Sequence, residues 1–350
     1  MYRNHSQVTL KKLFQNNKQL IIAEIGQSHD GSLNYVHSFI DECAKTGVDI
    51  VKFQAHYAEE ESTEDDYFRT FTSYKKESRF EYWKRMEFTD EEWFKIAKHV
   101  KSKKLLFSAS VFSEKSIYVM KKIGIDVWKI ASGESLSSNL INNITNNSNK
   151  PIFISTGMSY NREVEKIYNF ISKKKNPFLL MHCTSQYPSN YKNLGINIIN
   201  DFLKKYKCPI GYSDHSGSLH VPLVALEKKI SALEVHVTFD KKIYNPDSSS
   251  SINFTDLRFL CEYLKNKNEI LKFNKTKDQI ANIVKKNRII FSKSLAFKND
   301  MKRGTKVKSK DLTLKKPGNG IKISDIKKIL GKKLKKDKSK IKLIKYSDVK

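Results

Sequence analysis

Between residues 20 and 237, short apolar and β-branched runs recur along the chain. Most are followed by a stretch in which apolar residues return every three or four positions. The runs span residues 20–25, 49–53, 105–109, 126–130, 151–155, 177–182, 208–212 and 231–237. Short strands alternating with amphipathic helices predict parallel βα units. Eight of them predict a closed (β/α)8 TIM barrel, with an open doubly wound sheet as the alternative. After the first run, Leu33, Val36, Phe39, Ile40 and Cys43 share one helical face, and Ser32 is placed to cap that helix. After the fifth, Val164, Ile167, Phe170 and Ile171 repeat the pattern, with Ser159 as the expected cap. Between the second run and the helix expected at residues 90–100 lies a long insertion, residues 57–89, rich in acids and aromatics. A βα loop of that length usually carries function.

The pattern changes after the eighth run. Residues 264–287 are polar and Lys-rich, which predicts a last barrel helix running into a linker. Beyond them come short strand-like pieces at residues 289–292, 295–297, 306–307 and 312–314, separated by turn signals at Arg303-Gly304 and Pro317-Gly318-Asn319-Gly320. A barrel domain over residues 1–280 and a small β-rich domain over residues 281–350 are therefore expected. This division suits a chain of 350 residues, since single cores stop growing near about 250–300.

Composition narrows the class. Residues 1–10 lack an apolar run fit for a signal peptide, and no window approaches the roughly 20 apolar residues of a membrane span. A cytoplasmic soluble protein with no membrane partner is expected. Cys43, Cys183, Cys208 and Cys261 lie too far apart for a zinc motif or a secreted disulfide framework, which predicts free thiols. The formal charge of +28 permits a polyanion partner. Its lysines, however, are spread along the whole chain, and the basic stretch 331–345 has no aromatic platform for bases, so nucleic-acid binding ranks far below an enzyme. That stretch is expected to be an exposed face of the small domain.

In such a barrel the chemistry sits at the carboxyl ends of the strands. There the sequence supplies Glu24, Lys52 with Gln54, Ser108 with Ser110, Lys129 with Ser132 and Glu134, Ser155 with Thr156, His182 with Thr184 and Ser185, Ser213 with His215, and Glu234 with His236. A lone Lys at a strand end is usually a solvated rim residue. Val51-Lys52-Phe53 and Trp128-Lys129-Ile130, however, embed both lysines in apolar text, and two inward ammonium groups among hydroxyls suit a phosphate and a carboxylate. His215 and His236 fall on strands that become neighbours when the barrel closes, so they are candidate ligands of a shared divalent metal. Either is as readily a structural histidine when taken alone. Glu134 and Glu234 are candidate acid/base or supporting carboxylates.

Several of these strings together resemble the N-acetylneuraminate (sialic acid) synthase family: Ile22-Ala23-Glu24-Ile25-Gly26, His29-Asp30-Gly31-Ser32, Val51-Lys52-Phe53-Gln54, Trp128-Lys129-Ile130-Ala131-Ser132-Gly133-Glu134, His182-Cys183-Thr184-Ser185 with Tyr187-Pro188, Gly211-Tyr212-Ser213-Asp214-His215-Ser216, and Glu234-Val235-His236. Lys315-Lys316-Pro317-Gly318-Asn319-Gly320-Ile321 resembles that family's C-terminal SAF, or antifreeze-like, domain. The resemblance implies condensation of phosphoenolpyruvate with N-acetylmannosamine or a related N-acetylated amino sugar to give a nonulosonic acid and phosphate. It implies a divalent cation, Mn2+ first with Mg2+ or Co2+ as alternatives, held by His215 and His236. Lys52, Lys129, Ser132, Ser155, Ser185 and Ser213 would hold phosphoenolpyruvate, Glu24 and Glu134 would assist proton transfer, and Gln54, Tyr187 and Asp247 would meet the sugar. A homodimer is also implied, in which the small domain of one chain covers the barrel of the other and reaches the sugar through Lys316, where many members carry Arg. Ser28 and Ser248 also depart from the common family pattern, on the sugar side. The rival enzyme on the same fold is a class I aldolase with Lys52 or Lys129 as the Schiff-base nucleophile.

Overall fold

The computed structural model describes residues 18–68 and 76–350. The stretch read for a signal peptide, residues 1–10, and the centre of the long insertion, residues 69–75, lie outside the described residues. The chain divides into two compact units, the first ending at Asn268 and the second beginning at Glu269.

In the first unit the strands are β1 (Leu20–Glu24), β2 (Ile50–Ala55), β3 (Leu106–Val111), β4 (Val127–Ile130), β5 (Ile152–Ser155), β6 (Phe178–Cys183), β7 (Ile210–Asp214) and β8 (Ala232–Thr238). Each pairs in parallel with the next, and β1 pairs with β8 through Leu20↔Ala232 to Glu24↔His236, which closes the barrel and excludes the open sheet. A short β9 (Ser251–Asn253) adds to β8. Its Ser-Ile-Asn text carries no strand signal of its own. Among the described residues no helix is long and apolar enough to cross a membrane. All four cysteines are free.

Side-chain alternation divides the barrel into two cores. Outward residues such as Phe53, Trp128, Ile154, Tyr212 and Val235 pack with the apolar faces of the helices into the main cluster. Inward, Leu20, Ile22, Ile50, Val127, Phe153, Leu179, Met181 and Ala232 form a plug in the amino-terminal half of the barrel. Gly211 belongs to this inner layer: a Cβ there would lie 2.9 Å from Leu179 Cδ2 and 3.0 Å from the Ala232 carbonyl oxygen. The next inward position on most strands is polar, so Ile22 gives way to Glu24, Ile50 to Lys52, Val127 to Lys129 and Ala232 to Glu234.

The helices obey local chemistry. Thr89 Oγ1 accepts from the Glu92 amide at 3.2 Å while Glu92 Oε2 accepts from the Thr89 amide at 2.9 Å, starting the helix Asp90–Ser102 with acids in its first turn. Ser32 caps Leu33–Ala44 as expected. Ser159 does not cap the helix after β5. That helix begins at Asn161, the Glu163 carboxylate accepts from the Tyr160 amide at 2.7 Å, and Ser159 Oγ bonds Ser135 Oγ instead.

In the second unit β10 (Ser294–Phe297) and β11 (Leu312–Lys315) form an antiparallel pair over a core of Leu295, Phe297, Val307, Ile329, Leu334 and Ile344. The strand expected at residues 289–292 is instead the end of a helix, Lys285–Phe291. β-Branched text favours a strand only when a partner ladder exists, and here the backbone is satisfied within the helix. The basic stretch 331–345 is more than an exposed face: Leu334 and Ile344 are buried, and Lys338 pairs with the buried Asp348.

Phe153 is 1 % exposed and fills the centre of the inner plug. Phe153→Ala is expected to cost about 3–5 kcal/mol of unfolding free energy in a denaturant titration, since a ring-sized cavity between strands cannot collapse.

Candidate active site

The strand registers bring the inward polar residues to one level. Glu24 stands opposite Lys52 and His236, Ser110 opposite Lys129, and Ser213 opposite Glu234. Together they surround a cavity of about 60 Å³ lined by Glu24, Lys52, Gln54, Lys129, Ser132, Ser155, Tyr187, Ser213, His215, Glu234 and His236, with Ser110 and Phe112.

Two lysines and two glutamates form its floor, none more than 4 % exposed. Lys52 Nζ lies 2.6 Å from Glu24 Oε2 and 3.6 Å from Glu234 Oε1. Lys129 Nζ lies 2.9 and 2.7 Å from the two oxygens of Glu234. Glu234 Oε1 also accepts from Ser213 Oγ at 3.0 Å, and Glu24 Oε1 accepts from Gln54 Nε2 at 2.8 Å. Burial alone would raise the Glu234 pKa, but the ammonium groups of Lys129 and Lys52 outweigh it and hold the carboxyl well below the usual carboxylate range. Burial opposes the charge on Lys52, and the fields of Glu234 and Glu24 reverse that into a raised pKa. Lys129 is lowered, chiefly by burial and by the like charge of Lys52, although Glu234 holds its ammonium form. The third N–H donor of the Lys129 ammonium rests on the weak acceptor Met181 Sδ at 3.5 Å.

His215, just past β7, and His236, on β8 two residues beyond Glu234, have ring centroids 5.4 Å apart. His215 Nδ1 lies 2.9 Å from the Thr184 carbonyl, which only accepts, so Nδ1 carries the hydrogen and Nε2 keeps a lone pair. Burial, with the neighbouring His236, pushes the His215 pKa down to about 3, leaving it neutral. His236 Nδ1 lies 3.6 Å from Asp247 Oδ2. Burial opposes its charge, but Asp247 and then Glu24 raise its pKa. A carboxylate at Nδ1 turns Nε2 toward the cavity, an orientation common to metal-ligating histidines. The pair suits a divalent cation whose remaining positions are filled by water and substrate oxygens. Among the described residues no third His, Cys, Asp or Glu completes a protein-only cage.

Four candidates stand outside the lining. Asp247 is 1 % exposed, and its Oδ2 accepts from the Gln27 amide at 3.0 Å. It therefore sits behind His236 rather than in the cavity. Ser185 Oγ is buried against Gly157, where a Cβ would approach it to 2.5 Å. Glu134 ends a single 3-10 turn, Ser132–Glu134, and its pKa is raised by burial and by Glu61. Lys316 is exposed in the second unit, its Nζ 5.2 Å from the Phe291 ring centre. Glu234 plays a larger part than the supporting carboxylate expected of it, because it joins both lysines. The alternation of Glu234 with His236 on β8 was the available signal. Phe112 and His56 carried none beyond position two residues past a polar strand end.

Glu234→Ala leaves two buried ammonium groups short of a counter-charge. It is expected to cost about 3–5 kcal/mol by chemical denaturation. Pairing it with Lys129→Met should recover much of that stability without recovering turnover, and unchanged stability in the single variant would contradict the ionic floor.

Comparison with known proteins accounts for this arrangement. The NeuB family model matches residues 39–276, and the SAF domain model matches residues 292–350. The N,N'-diacetyllegionaminic acid synthase of Campylobacter jejuni is 30 % identical over 326 residues, covering 90 % of this chain and 95 % of that protein. Pseudaminic acid synthase of the same species is 27 % identical, covering 91 % of this chain and 93 % of the relative. Among solved structures, the N-acetylneuraminic acid (sialic acid) synthetase from Leptospira borgpetersenii in complex with citrate aligns with a TM-score of 0.66 at 29 % identity, over 77 % of this chain and 92 % of that one. The first match covers more than half of the chain, which therefore belongs to the NeuB family and carries a SAF domain at residues 292–350.

Proposed function

We propose that this chain condenses phosphoenolpyruvate with an N-acetylated amino sugar such as N-acetylmannosamine, adding water and releasing phosphate to form a nonulosonic acid. The single observation that carries the reading is the lysine–glutamate floor and two histidines lining one cavity. Family membership and the printed names of the relatives support it. We place the reaction in the cytoplasm; among the described residues no helix is long and apolar enough to cross a membrane.

The phosphate and carboxylate oxygens would be received by Lys52 and the Ser155 hydroxyl, by Ser132, by the Lys129 N–H that rests on Met181 Sδ, and by Ser213 on turning its hydroxyl from Glu234. Directed donors are needed because two lysines and two glutamates sum to no net charge. Glu24, fixed by Lys52 and Gln54, would orient the water and take its proton as the oxygen–carbon bond forms. Tyr187 packs on His215 with ring centroids 4.3 Å apart and would line the sugar side. His215 and His236 would hold a divalent cation, Mn2+ in our reading, which when bound polarises the sugar aldehyde toward attack by phosphoenolpyruvate C3. A Schiff-base aldolase would need a lysine to shed its proton, and the carboxylates of Glu24 and Glu234 oppose that at Lys52, so Lys129 is the lysine that the borohydride test addresses.

We also propose a homodimer in which the SAF domain reaches the sugar of a second copy through Lys316. The exposed Ile289, Ile290 and Phe291 support an unmet apolar contact near that lysine.

Phosphate release should require both phosphoenolpyruvate and an amino sugar, fall to background with chelator and return with Mn2+ or Co2+. A panel of N-acetylmannosamine, its phosphate and diacetamido sugars, read by product mass, identifies the acceptor. His215→Ala and His236→Ala should each lower kcat by at least about a thousandfold with folding intact, and borohydride should trap nothing. Activity indifferent to chelator would refute the metal, and a borohydride-trapped adduct would establish the aldolase.

Deleting residues 288–350 should leave a folded barrel whose KM for the sugar rises by about tenfold or more while that for phosphoenolpyruvate holds. Ordinary sugar saturation in this truncation would refute the role given to Lys316.

A further inference from the structure

His56 follows β2 two residues beyond Gln54 and is 6 % exposed. Its Nε2 lies 3.0 Å from Gln54 Oε1, and its Nδ1 lies 2.6 Å from Glu61 Oε1. The Gln54 amide has only one consistent orientation. Its Nε2 faces the Glu24 carboxylate at 2.8 Å, which can only accept, so Oε1 must take a hydrogen from His56 Nε2. The ring is also clamped from both sides. Trp83 lies at 3.9 Å between centroids and Phe112 at 4.5 Å with planes 10° apart. Trp83 belongs to the helix Arg79–Met86 of the long insertion, and the Arg79 guanidinium covers its other face at 4.1 Å.

The geometry points to His56 as a positioning residue. It locks the Gln54 carboxamide so that a hydrogen-bond donor, and not the carbonyl, is offered to the acceptor sugar, and it fastens the insertion to the reacting cavity. The relay runs from Glu61 through His56 and Gln54 to Glu24 and Lys52, so the seating of the insertion sets an inward group on β2. With its oxygen occupied and one N–H given to Glu24, Gln54 retains one N–H. A sugar hydroxyl or acetamido oxygen in its acceptor role fits that donor. The inference rests on the condensing function proposed above for this cavity.

His56→Phe keeps an aromatic ring between Trp83 and Phe112 and removes both hydrogen bonds. Steady-state kinetics should show the sugar KM rising on the order of tenfold, with the phosphoenolpyruvate KM within about twofold. His56→Gln, which can still donate to Gln54, should recover most of the sugar affinity. A sugar KM unchanged in His56→Phe, or a loss confined to kcat in step with the folded fraction, would overturn the positioning role. A second readout does not depend on turnover. In the intact protein labelled with 15N-histidine, ring N–H signal in slow exchange with water should vanish in His56→Phe, and exchange at the rate of a solvated imidazole would overturn the relay. If the wild-type protein releases no phosphate with any sugar while that slow N–H is present, the reaction class fails and the relay stands.

Discussion

The ionic floor at the carboxyl end of the barrel is the constraint around which the rest is arranged. Four charged side chains are almost wholly withdrawn from water beside an apolar plug, a position tolerable only when every charge has a partner at bonding distance. Glu234 accepts from Lys129 and Ser213 and lies close to Lys52, while Glu24 accepts from Lys52 and Gln54. The plug beneath supplies the low-dielectric surroundings that make these contacts strong and their loss expensive. Gly211 belongs to the same design, since any side chain at that position would push into Leu179 and Met181 and disturb the layer on which the floor rests.

Beside the floor, the two imidazoles stand under different influences. Burial keeps His215 neutral, and a backbone carbonyl fixes its tautomer. His236 is backed by Asp247, which also takes the Gln27 amide and so ties the turn after β1 to β8. Gly26 in that turn has a φ of +54°, and a Cβ there would meet Asp247 Oδ2 at 2.5 Å, so the close approach of this turn depends on glycine. Asp247 thus acts by holding other groups in place. The cavity thus brings two ammonium groups and two imidazoles into one lining.

The insertion after β2 is joined to this cavity by stacked rings as well as hydrogen bonds. Arg79, Trp83, His56 and Phe112 lie in sequence, alternating guanidinium, indole, imidazole and phenyl faces. Only Phe112 among them lines the cavity, yet the position of Gln54 depends on His56. The placing of an inward group on β2 is therefore set partly by residues outside the cavity.

The eight apolar runs, and the polar residues at their carboxyl ends, were legible in the chain itself. They placed Lys52, Lys129, His215 and His236 inside the barrel and indicated eight parallel strands, because apolar runs and helical spacing are local properties of neighbouring residues. The pairing of Lys129 with Glu234 was not legible, as the two are 105 residues apart and meet only when β1 closes onto β8. Nor was the placing of Asp247 behind His236, or of His56 between two rings, since both depend on which turns fold over the barrel mouth. Ser159 and the β-branched residues 289–292 met every local rule for a cap and a strand and became neither, because Glu163 offered a better cap and no partner strand was at hand. Local chemistry chose the elements, and closure of the barrel, by setting which distant charges must share a dry interior, decided the site.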